Sequence, residues 1–506
     1  MFLLCRRANR GKCITLVGMT ELQHAAKAVF TRPRIQPAEE GDDRPLSISV
    51  RLGQLQFHNS GKFRVLQFAD VQEGPEVSKD TIRLVEASLD ATRPDIVIFT
   101  GNQIAGYDSA YSATSRKRRW NGTGTSAPEN TSTETDTVYG AEDVVRNIVR
   151  RAARERAETA MERTKHLVRS TMERLTGPIS GRGIPWVVTF GNHDFQCGLD
   201  NAAINAICCE LPGCLNPASF CDGEGESIRE SYARMLPGQR VYSCEPGTFA
   251  LPVMDCERKG NVLGLVLADS GDYAPSGGYG SPSETTLNFL ADVPYRMSGS
   301  SLPMRIAAQP EEAARMPRCE APLPCMVFQH FAIPQYYDLL RPAAYNAARA
   351  IEGYRNFAGK YYVLDESKTQ PGGYLGEGIS CPDADSGEHG ILLNNGFFAI
   401  SAGHDHRNAF AGTDKGLTMI ASPTSGFGSY GPVPERRAAR LIEFDIRHPY
   451  EPRTQLLEYG ELVGKPSLGR PYAYGMTSES RSDSKGVDLL HRPTLLSLIA
   501  ERFGMA

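Results

Sequence analysis

The sequence predicts an α/β fold, and three observations carry that expectation. Between residues 62 and 100 a strand, a helix and a second strand follow one another with short connections, the repeating unit of an α/β core. Runs such as "DIVIFTG" and "IPWVVTFGNHD" are apolar without alternation, as strands buried on both faces are. Several of these strands end in Asp, Asn or His, and ligands of open α/β sheets bind beyond the carboxyl ends of strands.

Taken in order, residues 1–44 carry no sustained periodicity and read as a leader or tail. Four basic residues precede the first acid, Glu21, but the apolar run Met1–Cys5 comes before them. That order is wrong and the run too short for a secretory signal; a mitochondrial leader and a plain tail both fit. "LSISVRLGQLQF" (46–57) alternates as a half-buried strand does, and "GKFRVLQFAD" follows as a buried one. In "SKDTIRLVEASLDATRP", Ile82, Val85 and Leu89 fall at helical spacing after Ser78 as cap, and Pro94 ends the helix.

Residues 109–137 form a polar insertion, of which 112–137 is rich in Ser, Thr and Gly and reads as disordered. Its "RKRR" reads as a solvated charge run rather than an anion site or a protease site. A long charged helix is expected over Ala141–Leu175, with Val144, Val145, Ile148 and Val149 as its apolar group. Strands follow at 184–194, 261–271, 324–334, 396–406 and in "GLTMIASP", with a last one at 437–446. One domain therefore spans 45–449, and 450–506 reads as a C-terminal extension.

Composition narrows the function classes. A chain of 506 residues buries one large decorated core or two cores. With a net charge of -4 and no concentrated basic face, nucleic-acid binding is not expected. No run approaches the roughly 18 apolar residues of a membrane span. Seven of twelve cysteines fall between Cys197 and Cys256 without a CxxC pair, so a zinc knuckle has little support. This segment reads as an insertion over 197–256, either stapled by disulfides in an oxidising compartment or reduced. The sequons at Asn121 and Asn130 matter only in a secreted chain. The cytoplasm is the favoured compartment, with a mitochondrial or secreted location as the alternatives.

The chemistry lies at the strand ends "ADVQ", "TGNQ", "GNHD", "QH" and "GHDH". Four of only ten histidines, His193, His330, His404 and His406, sit there, which separates them from scattered surface histidines.

In this order, "GKFRVLQFAD", "RPDIVIFTGNQIAG", "IPWVVTFGNHD", "VFQHFAIP" and "GHDHRNAF" resemble the calcineurin-like metallophosphoesterases, in their purple-acid-phosphatase-like branch, over roughly Leu55 to Ile446. The resemblance implies a four-layer αββα sandwich of two mixed sheets flanked by helices, with a dinuclear metal site at one edge. It assigns Asp70, position 72 and His406 to one metal, and Asn192, His330 and His404 to the other. Position 102 bridges the two, and His193 acts as general acid, oriented by Asp194. A mixed nitrogen and oxygen shell accepts one or two ions of manganese, zinc, iron or nickel. The implied substrate is a phosphoester, on a phosphoprotein or a small molecule.

Two positions depart from the pattern. Gln72 stands for a histidine and is a weaker donor, and Asn102 stands for the bridging aspartate and brings no negative charge. A metal-dependent phosphoesterase weakened at these positions is one reading; a degenerate fold serving as a binding scaffold is the other. Glu73 is weighed as a replacement ligand. The family's tyrosine ligand falls at Ala105, with Tyr107 two residues off, which argues against an iron–tyrosine centre. "GFGSYG" (426–431) resembles the family's glycine-rich segment, Asp269 reads as a turn residue, and His389 as a loop residue.

Overall fold

The protein was analysed as a computed structural model that describes residues 48–119, 141–221, 227–298 and 321–467. The first element corrects the sequence reading. Residues Ile48–Leu52 form a short helix, α1, in place of the expected strand. Leu55 and Phe57 enter the core between the sheets, and Gln56 alone makes a bridge, to Met254. The alternation was a pattern of burial without a ladder beneath it.

The first sheet has the order β16–β15–β1–β2–β3. β1 (Lys62–Phe68) and β2 (Ile96–Thr100) pair in parallel across helix α2 (Lys79–Thr92), and β3 (Trp186–Thr189) extends the parallel set. Ser78 caps α2 through Asp80 N–H, and Arg93 closes it at φ 45°, so the cap read from the sequence is the one used. β15 (Ala438–Asp445) and β16 (His448–Glu458) add antiparallel strands. The expected C-terminal extension therefore begins inside this sheet: β16 runs to Glu458 and the helical turn α7 (Tyr459–Leu462) follows, while residues 468–506 lie outside the described residues.

The second sheet has the order β13–β14–β12–β8–β7–β6–β5–β4. Its members are β4 (Arg229–Tyr232), β5 (Arg240–Glu245), β6 (Thr248–Met254), β7 (Asn261–Leu267), β8 (Cys325–Gln329), β12 (Phe397–Ala402), β13 (Phe410–Asp414) and β14 (Leu417–Ala421). A small satellite sheet joins β9 (Leu340–Ala343), β10 (Ile351–Glu352) and β11 (Tyr361–Leu364).

Three apolar layers hold this together. Val65, Ile98 and Val187 of the first sheet meet Leu251, Leu265, Phe328 and Ile420 of the second. Outside the first sheet, Leu66, Phe68 and Phe99 pack on Leu89 of α2, on Val168, Met172 and Leu175 of α3 (Ala141–Gly181) and on Ile204 of α4 (Asn201–Glu210). Outside the second, Val266, Val327 and Ile400 pack on Phe289 and Val293 of α5 (Glu284–Ser298) and on Leu392 of α6 (Glu388–Asn394). The order is helix, sheet, sheet, helix. In α3 the buried face lies toward the C-terminal end, whereas Val149 of the expected apolar group is 62 % exposed.

The cysteine-rich segment is not wholly an insertion. Its residues 240–254 are β5 and β6, and Asn216 bonds both the N–H and the C=O of Val188 at 2.9 and 3.0 Å. Among the described residues no disulfide staples it. The expected disordered stretch falls largely on residues 120–137, which lie outside the described residues, as do both sequons and residues 1–44.

α6 opens on Glu388, which is 2 % exposed and pairs with the Gln329 side chain. Glu388 Oε1 lacks a donor among the described residues, so an ionised carboxylate there would be poorly compensated. Burial pushes this carboxyl up to about 8 from 4.5. The folded state then holds a proton that the unfolded state has lost, so stability falls as pH rises from about 4.5 to about 8 and is level outside that window. Glu388→Gln should remove this slope and raise the melting temperature at pH 8. Melting curves of both proteins between pH 5 and 8.5 check this, and parallel curves would count against a buried neutral Glu388.

Candidate metal centre

The strand ends do converge. Asp70 follows β1, Asn102 follows β2, Asn192 and His193 follow β3, His330 follows β8, and His404 and His406 follow β12; all are 6 % exposed or less. Four of the nine non-glycine residues with positive φ among the described residues are Asp70, Gln72, Asn102 and His404. Such backbone strain costs energy and gathers where side chains must be aimed.

Asn102 sits at the middle. Its Oδ1 accepts the His193 backbone N–H at 2.8 Å, which sets the amide's orientation. Reversing the amide would put an NH2 group against that N–H. Its Nδ2 therefore points inward, 3.0 Å from Asp70 Oδ1, 3.1 Å from Asn192 Oδ1 and 3.0 Å from His330 Nε2. Gly191 allows the approach, since a Cβ there would lie 2.3 Å from Asn102 Oδ1.

The histidines aim lone pairs at the same space. His330 Nδ1 donates to Thr100 O at 3.0 Å and His406 Nδ1 to Tyr430 O at 2.7 Å. With each Nδ1–H so used, both Nε2 atoms are acceptors, and His406 Nε2 lies 3.4 Å from Asp70 Oδ1. His404 Nδ1 has no hydrogen-bond partner among the described residues. Burial lowers the pKa of His330 and, more strongly, that of His404, so both stay neutral. Asp70 is held ionised, below the usual carboxylate range, and its Oδ2 accepts the His404 backbone N–H at 2.6 Å.

Counting donors tests the fit to a metal. Asn102 brings two N–H groups to Asp70 Oδ1, Asn192 Oδ1 and His330 Nε2, and the last two stand only 3.0 Å apart. His406 Nε2 and the unpartnered His404 nitrogen add to the surplus of lone pairs. A cation would meet that deficit, and ligand atoms of Asp70, His330 and His404 lie within 4.8 Å of one another. A second, bridged cation does not fit. An amide NH2 faces the bridging position, and its nitrogen has no lone pair to share.

Other expectations are redrawn by the geometry. Asp194 acts on the backbone around His193. Its oxygens accept the N–H groups of Asn102 and Gly191, both at 2.8 Å, and of Ile104 at 3.0 Å. Burial still pushes Asp194 up to about 6. Gln196 instead lies against His193, with Oε1 2.8 Å from Nδ1. It stands three residues on in the same helical turn, and that spacing was its only sequence signal. Glu73 is turned away, accepting Ser78 N–H at 2.9 Å and the Thr81 hydroxyl at the start of α2. Gln72 Oε1 accepts the Tyr107 hydroxyl at 3.1 Å, so Tyr107 reaches the site through Gln72. Glu377 approaches His406 and accepts Arg407 N–H at 2.9 Å; nothing in "LGEGIS" marks it. Asp405 is buried against Ser380 and Asn408, off the ligand set, and His389 lies in α6.

No family model matches the chain. It is 24% identical over 412 residues to "Probable inactive purple acid phosphatase 28" of Arabidopsis thaliana, covering 77% of each chain. It is 21% identical to "Probable inactive purple acid phosphatase 14" of the same plant, covering 78% of each. Among solved structures, a dimetal phosphatase from Danio rerio aligns with a TM-score of 0.33 at 12% identity, over 78% of this chain and 99% of that one. The relatives align over more than three quarters of the sequence, and the strand-end motifs meet in one buried cluster between two sheets. The motifs and the curated relatives together support a calcineurin-like metallophosphoesterase of the purple-acid-phosphatase-like branch.

Proposed function

We propose that this chain is a metal-dependent phosphoester hydrolase that works with one cation and turns over slowly. The surplus of inward lone pairs around Asn102 carries this reading. The cation would be held by Asp70, His330 and His404, with Asn192 and His406 adjoining. When bound, it supplies a Lewis acid that lowers the pKa of a water and polarises a phosphoryl oxygen. His193 is the proton donor to the leaving oxygen, with its ring oriented by Gln196 Oε1, 2.8 Å from Nδ1. Asp194 fixes the loop that carries it through three backbone N–H groups. Turnover is slow because Asn102 gives no carboxylate bridge, so attacking and leaving oxygens lack the clamp of two cations.

The same amide favours a second reading, a metal-free binding scaffold. Two N–H groups in the cluster already meet part of its hydrogen-bonding demand, and the Arabidopsis relatives carry "inactive" in their names. Metal content separates the two. Protein reconstituted with manganese, zinc, iron or nickel should hold close to one ion per chain and hydrolyse p-nitrophenyl phosphate slowly. Asn102→Asp should take up a second ion and raise turnover by roughly 10–100-fold, the usual scale of ligand-shell changes. Wild-type protein that stays metal-free, with Asn102→Asp binding ions yet hydrolysing nothing, would establish the scaffold.

Gln196 tests the proton donor. Removing a general acid costs roughly 100-fold or more in rate, so His193→Ala should lose most turnover. Gln196→Ala should lose part of it and shift the alkaline limb of the pH–rate profile, where a general acid is deprotonated, because His193 Nδ1 loses its partner. Metal stoichiometry should be unchanged in both; equal rates in Gln196→Ala and wild type would refute the assignment.

A further inference from the structure

The thiols between 197 and 256 are not equivalent. Cys208 and Cys209 lie in the last turn of α4, and the chain then reverses, with Leu211 N–H on Cys208 O at 3.0 Å and Gly213 at φ 83°. The returning residues 213–216 run along β3, the end strand of its sheet. Trp186 N–H donates to Gly213 O and Leu215 N–H to Trp186 O, both at 2.9 Å, and Cys214 is bridged to Trp186 between them. Asn216 continues the edge through both backbone groups of Val188.

This reversal sets Cys209 against the segment that carries Cys214. Cys209 Sγ lies 3.4 Å from Asn216 O and 3.5 Å from Pro217 O, and Asn205 Nδ2 donates to it at 3.4 Å. A side-chain hydrogen bond joins Cys209 to Cys214. Cys209 is only half-buried, whereas Cys208 and Cys214 are buried. Solvent therefore reaches one thiol of the pair, and its partner stands behind it. The hydrogen bonds from Cys214 and Asn205 hold Cys209 below the usual thiol range despite the neighbouring Glu210 carboxylate, while burial holds Cys214 well above it. The thiolate is the form that attacks oxidants, and oxidisable thiols combine access, low pKa and a second cysteine nearby. Among the described residues Cys208, Cys209 and Cys214 do not gather as a metal-ligating trio, so a metal site is not the better reading of them.

We propose that Cys209 is a site of oxidation by peroxides and that Cys214 resolves the product into a disulfide. The Cys209 thiolate attacks one peroxide oxygen and the O–O bond breaks. A sulfenic acid forms on Cys209, and the other oxygen leaves as water with the proton that the thiol gave up. The Cys214 sulfur then attacks the Cys209 sulfur, the S–O bond breaks, and the hydroxyl leaves as a second water with the Cys214 proton. Two thiols are oxidised and one peroxide is reduced. The link staples the end of α4 to the edge of β3, the strand that leads to Asn192 and His193.

The test treats the full chain, reduced and then freed of reductant, with a dose series of hydrogen peroxide. Remaining thiols are blocked with iodoacetamide, and a glutamate-specific protease cuts after Glu210, between the two cysteines. In wild type the peptide ending at Glu210 should stay joined to the one beginning at Leu211, about 2 Da lighter than the two reduced peptides together. This should happen at doses that leave the fully buried Cys325 thiol intact. Fragmentation should place the bond on Cys209 rather than Cys208, and dithiothreitol should release it. Cys214→Ser should stop at the sulfenic acid, captured on Cys209 by dimedone, and Cys208→Ser should form the disulfide as wild type does. A link from Cys214 to Cys208 overturns the assignment. So does Cys209 advancing to sulfinic or sulfonic acid without a link, or reacting no faster than Cys325. The wild-type map decides by itself if a variant fails to fold.

Discussion

A hydrogen bond from the His193 N–H to Asn102 Oδ1 joins the ends of two neighbouring strands, β2 and β3. The loop after β3 depends on it, because the same loop is drawn to the end of β2 by Asp194, which accepts Asn102 N–H. An aspartate at position 102 could accept His193 N–H equally well. What separates Asp from Asn is the other atom, which changes from a charged acceptor to a neutral donor while shape and size stay nearly the same. The fold therefore registers almost nothing of the exchange, whereas the chemistry of the pocket changes sign at its centre.

The two sheets are also tied together beneath the site by polar contacts that need no ion. Gln67 on β1 donates to Thr100 Oγ1 at 3.1 Å and accepts the hydroxyls of Ser401 and Ser422 from the other sheet. Asp70 continues the tie, with Oδ2 on His404 N–H at 2.6 Å and its backbone carbonyl on the Thr424 hydroxyl at 2.6 Å. Polar groups this deeply buried are costly unless paired, and these are paired. The cluster can keep its shape whether or not a cation is present.

Much of this was legible in the sequence because strand ends announce themselves. A run of apolar residues fixes where a buried strand stops, and the polar letters beyond it fall at one edge of a parallel set. Asp70, Asn102, Asn192, His330, His404 and His406 were readable for that reason. Direction was not readable: whether Asn102 offers oxygen or nitrogen depends on a backbone N–H ninety-one residues away. Composition misled over 240–254, where the cysteines spread over 197–256 drew attention from two ordinary core strands. Contacts distant in sequence, Glu377 near His406 and Arg118 over Tyr273, have no local pattern at all.

Gly426, in the glycine-rich segment after GHDH, bears on how this branch of proteins can be read by descent. A Cβ at that position would lie 1.6 Å from the Val71 carbonyl oxygen, so no side chain fits there whatever the pocket does. Glycine at this point is a packing requirement between the end of β1 and the segment after β14. Its persistence in an alignment would therefore say nothing about whether a lineage still hydrolyses phosphoesters. Position 102, where the packing accepts Asp and Asn alike, is where loss of selection for two-metal catalysis would first leave a trace.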